Sequence, residues 1–479
     1  MSFNVLAIDQ GTSSTKALVV SENGDVLSEA EVAVRPTPVG NGGVEQDPDE
    51  LLSSIIEAGR AALAGAASPV HAVGVANQGE TAVAWRSHGE AVHRAISWQD
   101  RRASVVTDRL RDSAARLHSI TGLPLDPYFT APKLAWLAER VGTDVRVTGI
   151  DAWLNLRLTG RCVTDVSTAS RSLLLDLDTR RWSDEAVEIF GLEGACLPEV
   201  VDCAGELGET SAFGPALPVT GLAVDQQAAL VGERCLDAGE AKCTYGTGAF
   251  LLVTTGAAPR RSNNGLSASV AWQYGDEHAY CLDGQVYTAG SAVDWLRTMG
   301  LIEHAADLDA AASQARGDSS VVCVPSFVGL GAPYWQPQAR AHLEGLGLDT
   351  GSAEIVRAVL EGIAAQVAVL VRAAQADLGE PLVSLRVDGG LTRSSVLMQT
   401  QADLLQIPVE LYPSPHATAL GVAALARLGA GAATTLDQGL AALGRRYEPS
   451  ISSDDAARRL ERFDRAARRV VDALSTEGP

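Results

Sequence analysis

The segment NVLAIDQGTSSTKALVV, at residues 4–20, decides the fold class of this 479-residue chain. Two runs of aliphatic and β-branched residues enclose a Gly/Thr/Ser stretch, which predicts two strands joined by a tight turn. An Asn-Gly pair at residues 23–24 predicts a second hairpin and a third strand. Asp47 and Pro48 follow as helix N-cap and first helical residue. The chain therefore opens as a strand meander followed by a helix.

A similar unit begins at residue 241 with AKCTYGTGAFLLV, where a Gly/Thr turn again lies between two apolar runs. The stretches VTGLAVDQQAALVG, at residues 219–232, and LRVDGGLTRSSVLMQ, at residues 385–399, each predict a strand followed by a helix. Strands alternate with helices, so the predicted class is α/β. The recurring turn suggests an ancient duplication and two domains, residues 1–238 and 239–479, with a hinge near residues 236–240.

The net charge of −21 argues against nucleic acid and anionic membrane surfaces as partners, because both need a basic face. The sequence has no run of eighteen apolar residues, and its first residues lack the pattern of a signal peptide. The seven cysteines are scattered without a CxxC pair, as expected of reduced thiols. A cytoplasmic protein is therefore the expectation, and the pattern leaves open whether the chain forms a homo-oligomer.

The two Gly/Thr turns are candidate phosphate sites. Residues 9–14, Asp-Gln-Gly-Thr-Ser-Ser, offer backbone N–H groups and hydroxyls in a tight curve, and residues 245–248 offer a second such nest. Asp9 ends its strand where a carboxylate can hold Mg²⁺ through water, and Lys16 follows within reach of a phosphate. Each turn alone is more often a plain hairpin. Together, in similar halves, they predict a clamp for a triphosphate.

Asp225 has two interpretations. At the junction of a strand and a helix, it serves equally well as an N-cap or as a general base that accepts the proton of an attacking hydroxyl. The sequence contains no GxxxxGK[ST] loop, no HExxH and no GxSxG elbow, which removes P-loop, zinc-protease and α/β-hydrolase chemistry.

Several stretches taken in order resemble the FGGY family of carbohydrate kinases over nearly the whole chain. They include AIDQGTSSTKALVV at 7–20, SWQDRR at 97–102, PYFTAPKLAWL at 127–137, GLAVDQQAAL at 221–230, YGTGAF at 245–250 and RVDGGLTRSSVLMQ at 386–399. The resemblance implies a two-domain actin-like (ribonuclease H-like) ATPase fold with an interdomain active-site cleft. It also implies ATP and Mg²⁺ as cofactors and a small polyol or sugar as substrate.

The resemblance assigns roles position by position, with Asp225 as the catalytic base. Substrate would be bound by Gln78, Glu80, Trp98, Tyr128, Asp225, Gln226 and Phe250. The nucleotide would be bound by Thr12, Ser13, Ser14, Lys16, Thr247, Gly290, Asp294, Gly390 and Ser394, and the metal by Asp9. Three of these depart from the pattern of the family's glycerol-phosphorylating members, since Lys16 replaces an arginine, Asp294 a glutamine and Ser394 an asparagine.

Plainer interpretations stand beside several of these roles. Tyr128 and Trp98 also suit core aromatics, and Glu80 suits a solvated loop. Lys133, in the stretch PKLAW, is expected to fix local structure rather than to touch substrate.

Gly79 is the departure with the largest consequence. Members that phosphorylate glycerol carry an arginine here, which binds substrate hydroxyls, whereas this chain reads Asn-Gln-Gly-Glu-Thr at residues 77–81. The lost guanidinium leaves space, which predicts a substrate longer than glycerol. The expected function is ATP-dependent phosphorylation of a primary hydroxyl on a polyol or small sugar. The alternatives are a kinase for glycerol itself, a non-catalytic ATP- and sugar-binding sensor, and a nucleotide-gated chaperone or filament protein of the same superfold.

Overall fold

The computed structural model describes residues 2–142, 144–317 and 319–476. Within these residues, the first half holds fifteen strands and eight helices. The strands are β1 Asn4–Gln10, β2 Ser14–Val20, β3 Val26–Ala33, β4 Thr37–Val39, β5 Gly43–Gln46, β6 Val70–Asn77, β7 Ala82–Trp85, β8 Ala95–Ile96, β9 Arg146–Gly149, β10 Val163–Asp165, β11 Leu175–Asp176, β12 Arg181–Trp182, β13 Glu199–Val201, β14 Ala204–Thr210 and β15 Leu217–Val224. The helices are α1 Pro48–Gly65, α2 Ser104–Arg109, α3 Ala114–Thr121, α4 Thr130–Ala138, α5 Ile150–Thr159, α6 Val166–Ala169, α7 Asp184–Ile189 and α8 Asp225–Gly232.

The second half continues the same numbering. Its strands are β16 Ala241–Tyr245, β17 Ala249–Gly256, β18 Ser267–Tyr274, β19 Glu277–Val286, β20 Val322–Val324, β21 His342–Glu344, β22 Leu385–Asp388, β23 Val409–Leu411 and β24 Arg446–Tyr447. Its helices are α9 Gly290–Thr298, α10 Leu308–Ala312, α11 Ser352–Leu378, α12 Ser395–Leu405, α13 Ala417–Gly429 and α14 Ser453–Thr476. Short 3₁₀ turns span Arg111–Ser113, Ala305–Asp307 and Gly390–Arg393.

Two large sheets carry the same strand order. The first runs β14-β15-β6-β1-β2-β3 and the second β18-β19-β17-β16-β22-β23-β24. In each, a central strand pairs in parallel with the strand after it, β1 with β6 and β16 with β22. The same central strand pairs antiparallel with its hairpin partner, β2 or β17. The order β3-β2-β1-β6-β15 is thus repeated as β19-β17-β16-β22-β23, which supports the duplication that the two turns suggested.

Helices α8 and α13 follow the last parallel strand of each repeat and cross at glycines. A Cβ added at Gly421 in α13 would lie 1.8 Å from the carbonyl oxygen of Ala228 in α8. A Cβ at Gly232 would lie 2.0 Å from the carbonyl oxygen of Ala417. α13 also packs on the first sheet, where a Cβ added at Gly74 of β6 would lie 2.6 Å from the carbonyl oxygen of Val422. The two halves are therefore joined along a backbone-to-backbone helix contact.

Gly421→Ala is expected to destabilise the fold, because the added methyl group forces α8 and α13 apart. Overpacking of this kind typically lowers the free energy of unfolding by about 1–3 kcal/mol. Thermal unfolding by circular dichroism measures the effect, with Gly194→Ala as control, since nothing lies within 4 Å of a Cβ at Gly194. Equal melting temperatures for the two variants would contradict this account of the helix contact.

A third sheet, β4-β5-β8-β7-β9, extends the first half beside the cavity described below. Its connections place Gly79 and Glu80 between β6 and β7, and Trp98 just after β8. Among the described residues, no helix is both long and apolar enough to cross a membrane.

Candidate active site

One cavity of about 650 Å³ lies between the two halves and receives side chains from both. Its lining from the first half includes Thr12, Ser13, Gly79, Glu80, Trp98, Tyr128, Arg171, Val224, Asp225 and Gln226. Its lining from the second half includes Thr247, Phe250, Asp283, Gln285 and Tyr287. Nine residues predicted from the sequence are therefore brought together, from Thr12 to Phe250.

The two Gly/Thr turns both reach this cavity. The first is closed by the Gly11 N–H, which donates to the Ser14 carbonyl at 3.0 Å. The second is braced by the start of α9, where the Gly290 N–H donates to the Gly246 carbonyl at 3.0 Å. Thr12 and Thr247 thus line one cavity from different halves, as a paired phosphate clamp requires.

Asp225 is the first residue of α8, and Val224 rather than Asp225 is the N-cap. Within the part of the chain that the structure describes, the Asp225 carboxylate accepts one hydrogen bond, at Oδ1 from the neighbouring Gln226 N–H at 2.7 Å. Burial raises the pKa of Asp225 to about 7, with further increases from Asp9 and Glu80 and an opposing effect from Lys242. The N-cap interpretation is therefore wrong, and the carboxylate is poised for proton transfer near neutral pH.

Two more carboxylates, Asp9 and Asp388, lie close to Asp225 together with Lys16 and Lys242. Burial raises the pKa of Asp9 to about 6, while Lys16, its cross-strand partner, lowers it and Asp388 raises it. Asp388 ends β22, its pKa is also raised by burial, and its Oδ1 is buried without a hydrogen-bond partner among the described residues. Lys242 Nζ donates to Gln226 Oε1 at 2.6 Å and to Thr244 Oγ1 at 2.9 Å.

This donor set fits Mg²⁺. A hard cation prefers carboxylate oxygens, and Mg²⁺ is commonly held by one or two carboxylates together with substrate phosphates and water. Asp9 and Asp388 would supply those oxygens, and Asp388 Oδ1, which has no partner among the described residues, would accept the cation or its water. The described residues contain no group of three or more His, Cys, Asp or Glu side chains suited to an all-protein metal site.

Three aromatic rings from both halves form an apolar wall. Trp98 packs edge-on against Tyr128, at a centroid distance of 5.8 Å, and against Phe250, at 6.3 Å. Trp98 Nε1 also donates to Thr12 Oγ1 at 2.9 Å, so the wall is tied to the first phosphate turn. The wall lies where a carbon chain can pack while its hydroxyls face the polar groups opposite.

Those polar groups form a buried chain that begins at the predicted Glu80 and continues through Arg171, Asp283 and Gln285, which the sequence analysis missed. Glu80 Oε1 accepts from Arg171 Nε at 2.6 Å, and Arg171 Nη1 pairs with Asp283 Oδ2 across the two halves. Asp283 Oδ1 then accepts from Gln285 Nε2 at 2.6 Å. Glu80 is therefore a buried, paired carboxylate rather than a solvated loop residue, with a backbone φ of 56° that only a constrained site maintains.

Two residues singled out from the sequence, Lys133 and Gln78, make hydrogen bonds within the structure around the cavity. Lys133 Nζ donates to three consecutive carbonyls, those of Pro127, Tyr128 and Phe129, at 2.8, 2.5 and 2.8 Å. This confirms its structural role and fixes the backbone that carries Tyr128. Gln78 lies behind the cavity wall, where its amide bonds Gln10 and Thr81.

The remaining nucleotide candidates lie outside the cavity lining. Asp294 on α9 is exposed and pairs with Arg297 at 3.1 Å. Ser394 is the N-cap of α12 and donates to Asp309 Oδ1 at 2.5 Å, so its hydroxyl is already engaged. Gly390 is exposed in its 3₁₀ turn, and Ser14 and Lys16 lie along β2. A role in nucleotide binding stays a prediction for these residues.

Comparison with known proteins agrees with this geometry. Residues 4–232 match the N-terminal domain model of the FGGY family of carbohydrate kinases, and residues 241–430 match its C-terminal domain model. The chain belongs to the FGGY family of carbohydrate kinases. Its relatives include a glycerol kinase of Aromatoleum aromaticum, 43% identical over 97% of this chain and 98% of that protein.

Solved structures share the fold, and one of them supports the same family. The glycerol kinase of Plasmodium falciparum, determined with ADP, is 30% identical, covers 98% of both chains and superposes with a TM-score of 0.91. A gluconate kinase from Lactobacillus acidophilus superposes with a TM-score of 0.88 at 22% identity, which shows the shared fold alone. The expected two-domain, actin-like fold is thereby confirmed, and the chain is an ATP-dependent kinase of this family that uses Mg²⁺.

Proposed function

We propose that this FGGY kinase transfers a phosphoryl group from ATP to a primary hydroxyl of a neutral polyol or small sugar with four or five carbons. The observation that carries the proposal is Asp225, whose half-buried carboxylate accepts a hydrogen bond from the adjacent Gln226 N–H and lines the same cavity as both phosphate turns. A hydroxyl held beside this carboxylate gives up its proton as the new bond to phosphorus forms.

The surrounding residues hold the substrate and shield the reaction. The aromatic wall of Trp98, Tyr128 and Phe250 packs on the carbon chain, and Glu80 accepts hydrogen bonds from its hydroxyls. Thr12 and Thr247 hold the phosphates from either side, and Mg²⁺ supplies neutralisation of their charge. Closure of the two halves along α8 and α13 excludes water, which suppresses wasteful hydrolysis.

Gly79 supports a substrate longer than glycerol. Its φ is not in the left-handed region, but a Cβ would lie 2.9 Å from Val224 Cγ2. Both residues line the cavity. Val224 therefore fills part of the space that an arginine side chain would occupy, and the rest of that space is open to the substrate. The relatives named glycerol kinase favour glycerol itself, and a comparison of substrates distinguishes the two.

A kinase screen over glycerol, dihydroxyacetone, tetritols, pentitols and ketopentoses tests the proposal. We expect a higher kcat/KM for a four- or five-carbon compound than for glycerol. Gly79→Arg combined with Val224→Ala, which makes room for the new side chain, should shift the ratio toward glycerol by about ten- to a hundredfold, as expected for a hydrogen bond to a charged group worth about 1.5–3 kcal/mol.

Val224→Ala alone is the matched control, because it widens the cavity without adding a guanidinium. A wild-type enzyme that prefers glycerol over every longer compound would overturn the proposed substrate and leave a kinase for glycerol. An absence of phosphoryl transfer to all of them, with ATP still bound, would instead favour the sensor.

A further inference from the structure

Gln285 lies beside the place where the substrate's carbon chain packs. It lies near the end of β19, where its cross-strand partner on β17 is Phe250, so the two side chains share one face of the sheet. Both residues line the cavity. Gln285 is only 2% exposed, which makes it part of the cavity wall rather than a mobile surface group.

The orientation of the Gln285 amide is set by its neighbour. Its Nε2 lies 2.6 Å from Asp283 Oδ1, and an ionised carboxylate only accepts hydrogen bonds. Burial raises the pKa of Asp283 to about 6, and the paired Arg171 guanidinium opposes that increase, so Asp283 is still mostly ionised at neutral pH. The amide nitrogen therefore faces Asp283, and the oxygen faces away from it.

That oxygen, Oε1, is buried and has no hydrogen-bond partner among the described residues. A buried acceptor without a donor is costly, and an occupied binding site is where such an acceptor finds its partner. The site already supplies acceptors for a short polyol in Asp225 and Glu80. Gln285 Oε1 is an additional acceptor, on the half of the molecule opposite Gly79.

We infer that Gln285 determines substrate length, because its Oε1 accepts a hydrogen bond from a hydroxyl beyond the third carbon. This inference rests on the proposed kinase function and names the residue that recognises the additional part of the chain. The ligand it selects is a neutral polyhydroxy compound, since a hydroxyl donates to the free amide oxygen and a carboxylate cannot.

The charges around the cavity agree with a neutral ligand. Three carboxylates, Asp225, Glu80 and Asp283, line it, and Arg171 is already paired with two of them. Arg101, the other arginine that lines the cavity, is paired with Asp126 at 2.9 Å, so both arginines among the described lining residues are already neutralised, and a sugar acid or sugar phosphate would place a further negative charge beside these carboxylates. Anionic substrates are therefore expected to be poor even where their length is suitable.

The test is Gln285→Met, which keeps the shape of the side chain and removes the amide. We measure kcat and KM for erythritol, ribitol and glycerol, and the affinity for ribitol by calorimetry. Loss of one neutral hydrogen bond should raise KM and lower kcat/KM for the longer polyols by about 3- to 10-fold, with glycerol changed less than twofold. Gln366→Met is the matched control, a buried glutamine of α11 whose Nε2 also lacks a partner among the described residues.

The outcomes separate this inference from the proposed function. An equal loss on all three polyols, with kcat reduced, would show that Gln285 only positions Asp283 and would overturn the inference. A wild-type preference for glycerol would overturn the proposed substrate. The ratio of kcat/KM for the longer polyols to that for glycerol, compared between Gln285→Met and the wild type, would still show whether Gln285 determines substrate length. If Gln285→Met does not fold, Gln285→Ala is measured against the same ratio, and an unchanged ratio contradicts the inference.

Discussion

Asp225→Asn is expected to lower kcat for phosphoryl transfer by about 10²–10⁴-fold, the usual effect of removing a general base. The amide keeps the shape of the carboxylate and can still accept the local bond from the Gln226 N–H, so α8 should begin at the same residue. Affinity for ATP should change little, because the two phosphate turns are unaltered. Steady-state kinetics and calorimetric titration with ATP measure the two quantities separately.

The pH dependence gives a second signature of the same residue. Because burial raises the pKa of Asp225 to about 7, the reactive carboxylate form is lost as the pH falls through that value. The kcat/KM of the wild type should then decrease about tenfold per pH unit well below pH 7. The residual activity of Asp225→Asn should lack this acidic limb.

The control is Asp184→Asn. Asp184 is likewise the first residue of a short helix, α7, but it is exposed and does not line the cavity. Its substitution should leave kcat within twofold of the wild type. Near-wild-type turnover in Asp225→Asn with the best substrate would show that the base has been assigned to the wrong residue.

Local sequence patterns predicted the parts of the site that lie within one turn or one strand–helix junction. The turns around Thr12 and Thr247 and the start of α8 depend on glycines, hydroxyls and strand periodicity that are close in the chain. Asp47 likewise caps α1, with its carboxylate accepting from the N–H groups of Asp49 and Glu50. Such features are set by short-range sterics and hydrogen bonds, so the sequence is sufficient to predict them.

The buried chain from Glu80 to Gln285 could not be predicted in the same way. Arg171 and Asp283 are 112 residues apart, and only the closure of the two halves brings them into contact. The one local signal was an arginine within the otherwise apolar and small residues of TASRSLLL, at 168–175. A charged residue in such a stretch predicts a buried partner but does not say which one.

Asp388 was missed for a related reason. The stretch VDGG places it at a strand end before two glycines, and the pairing of β22 with β16 is what brings it close to Lys242 and Asp9. Ser394 shows the reverse case, since its place in a family motif predicts nucleotide contact, a role that stays a prediction, while its hydroxyl caps α12 in the structure. Parallel strand pairing and helix capping compete for the same residue types, and the three-dimensional structure decides between them.

Asp9→Ala is expected to reduce kcat by at least about 10²-fold at a fixed concentration of Mg²⁺, because a metal ion contributes several kcal/mol of charge stabilisation in phosphoryl transfer. The variant should also need a higher concentration of Mg²⁺ for half-maximal activity, since Asp388 alone remains of the two carboxylates. Glu31→Gln is the matched control, because Glu31 also raises the pKa of Asp9 but lies exposed on β3 and is not one of the two carboxylates that would hold the cation.

The pH dependence of Asp9→Ala distinguishes two roles for Asp9, which are raising the pKa of Asp225 and holding Mg²⁺. Asp9 raises the pKa of Asp225, so its removal should move the acidic limb of the wild-type pH profile to lower pH. If Asp9 acted only through this effect, Asp9→Ala would keep its kcat at high pH and its dependence on Mg²⁺ would be unchanged. If Asp9 holds the cation, the loss persists at every pH and is relieved only by more Mg²⁺. Full wild-type activity in excess chelator would exclude the metal role altogether.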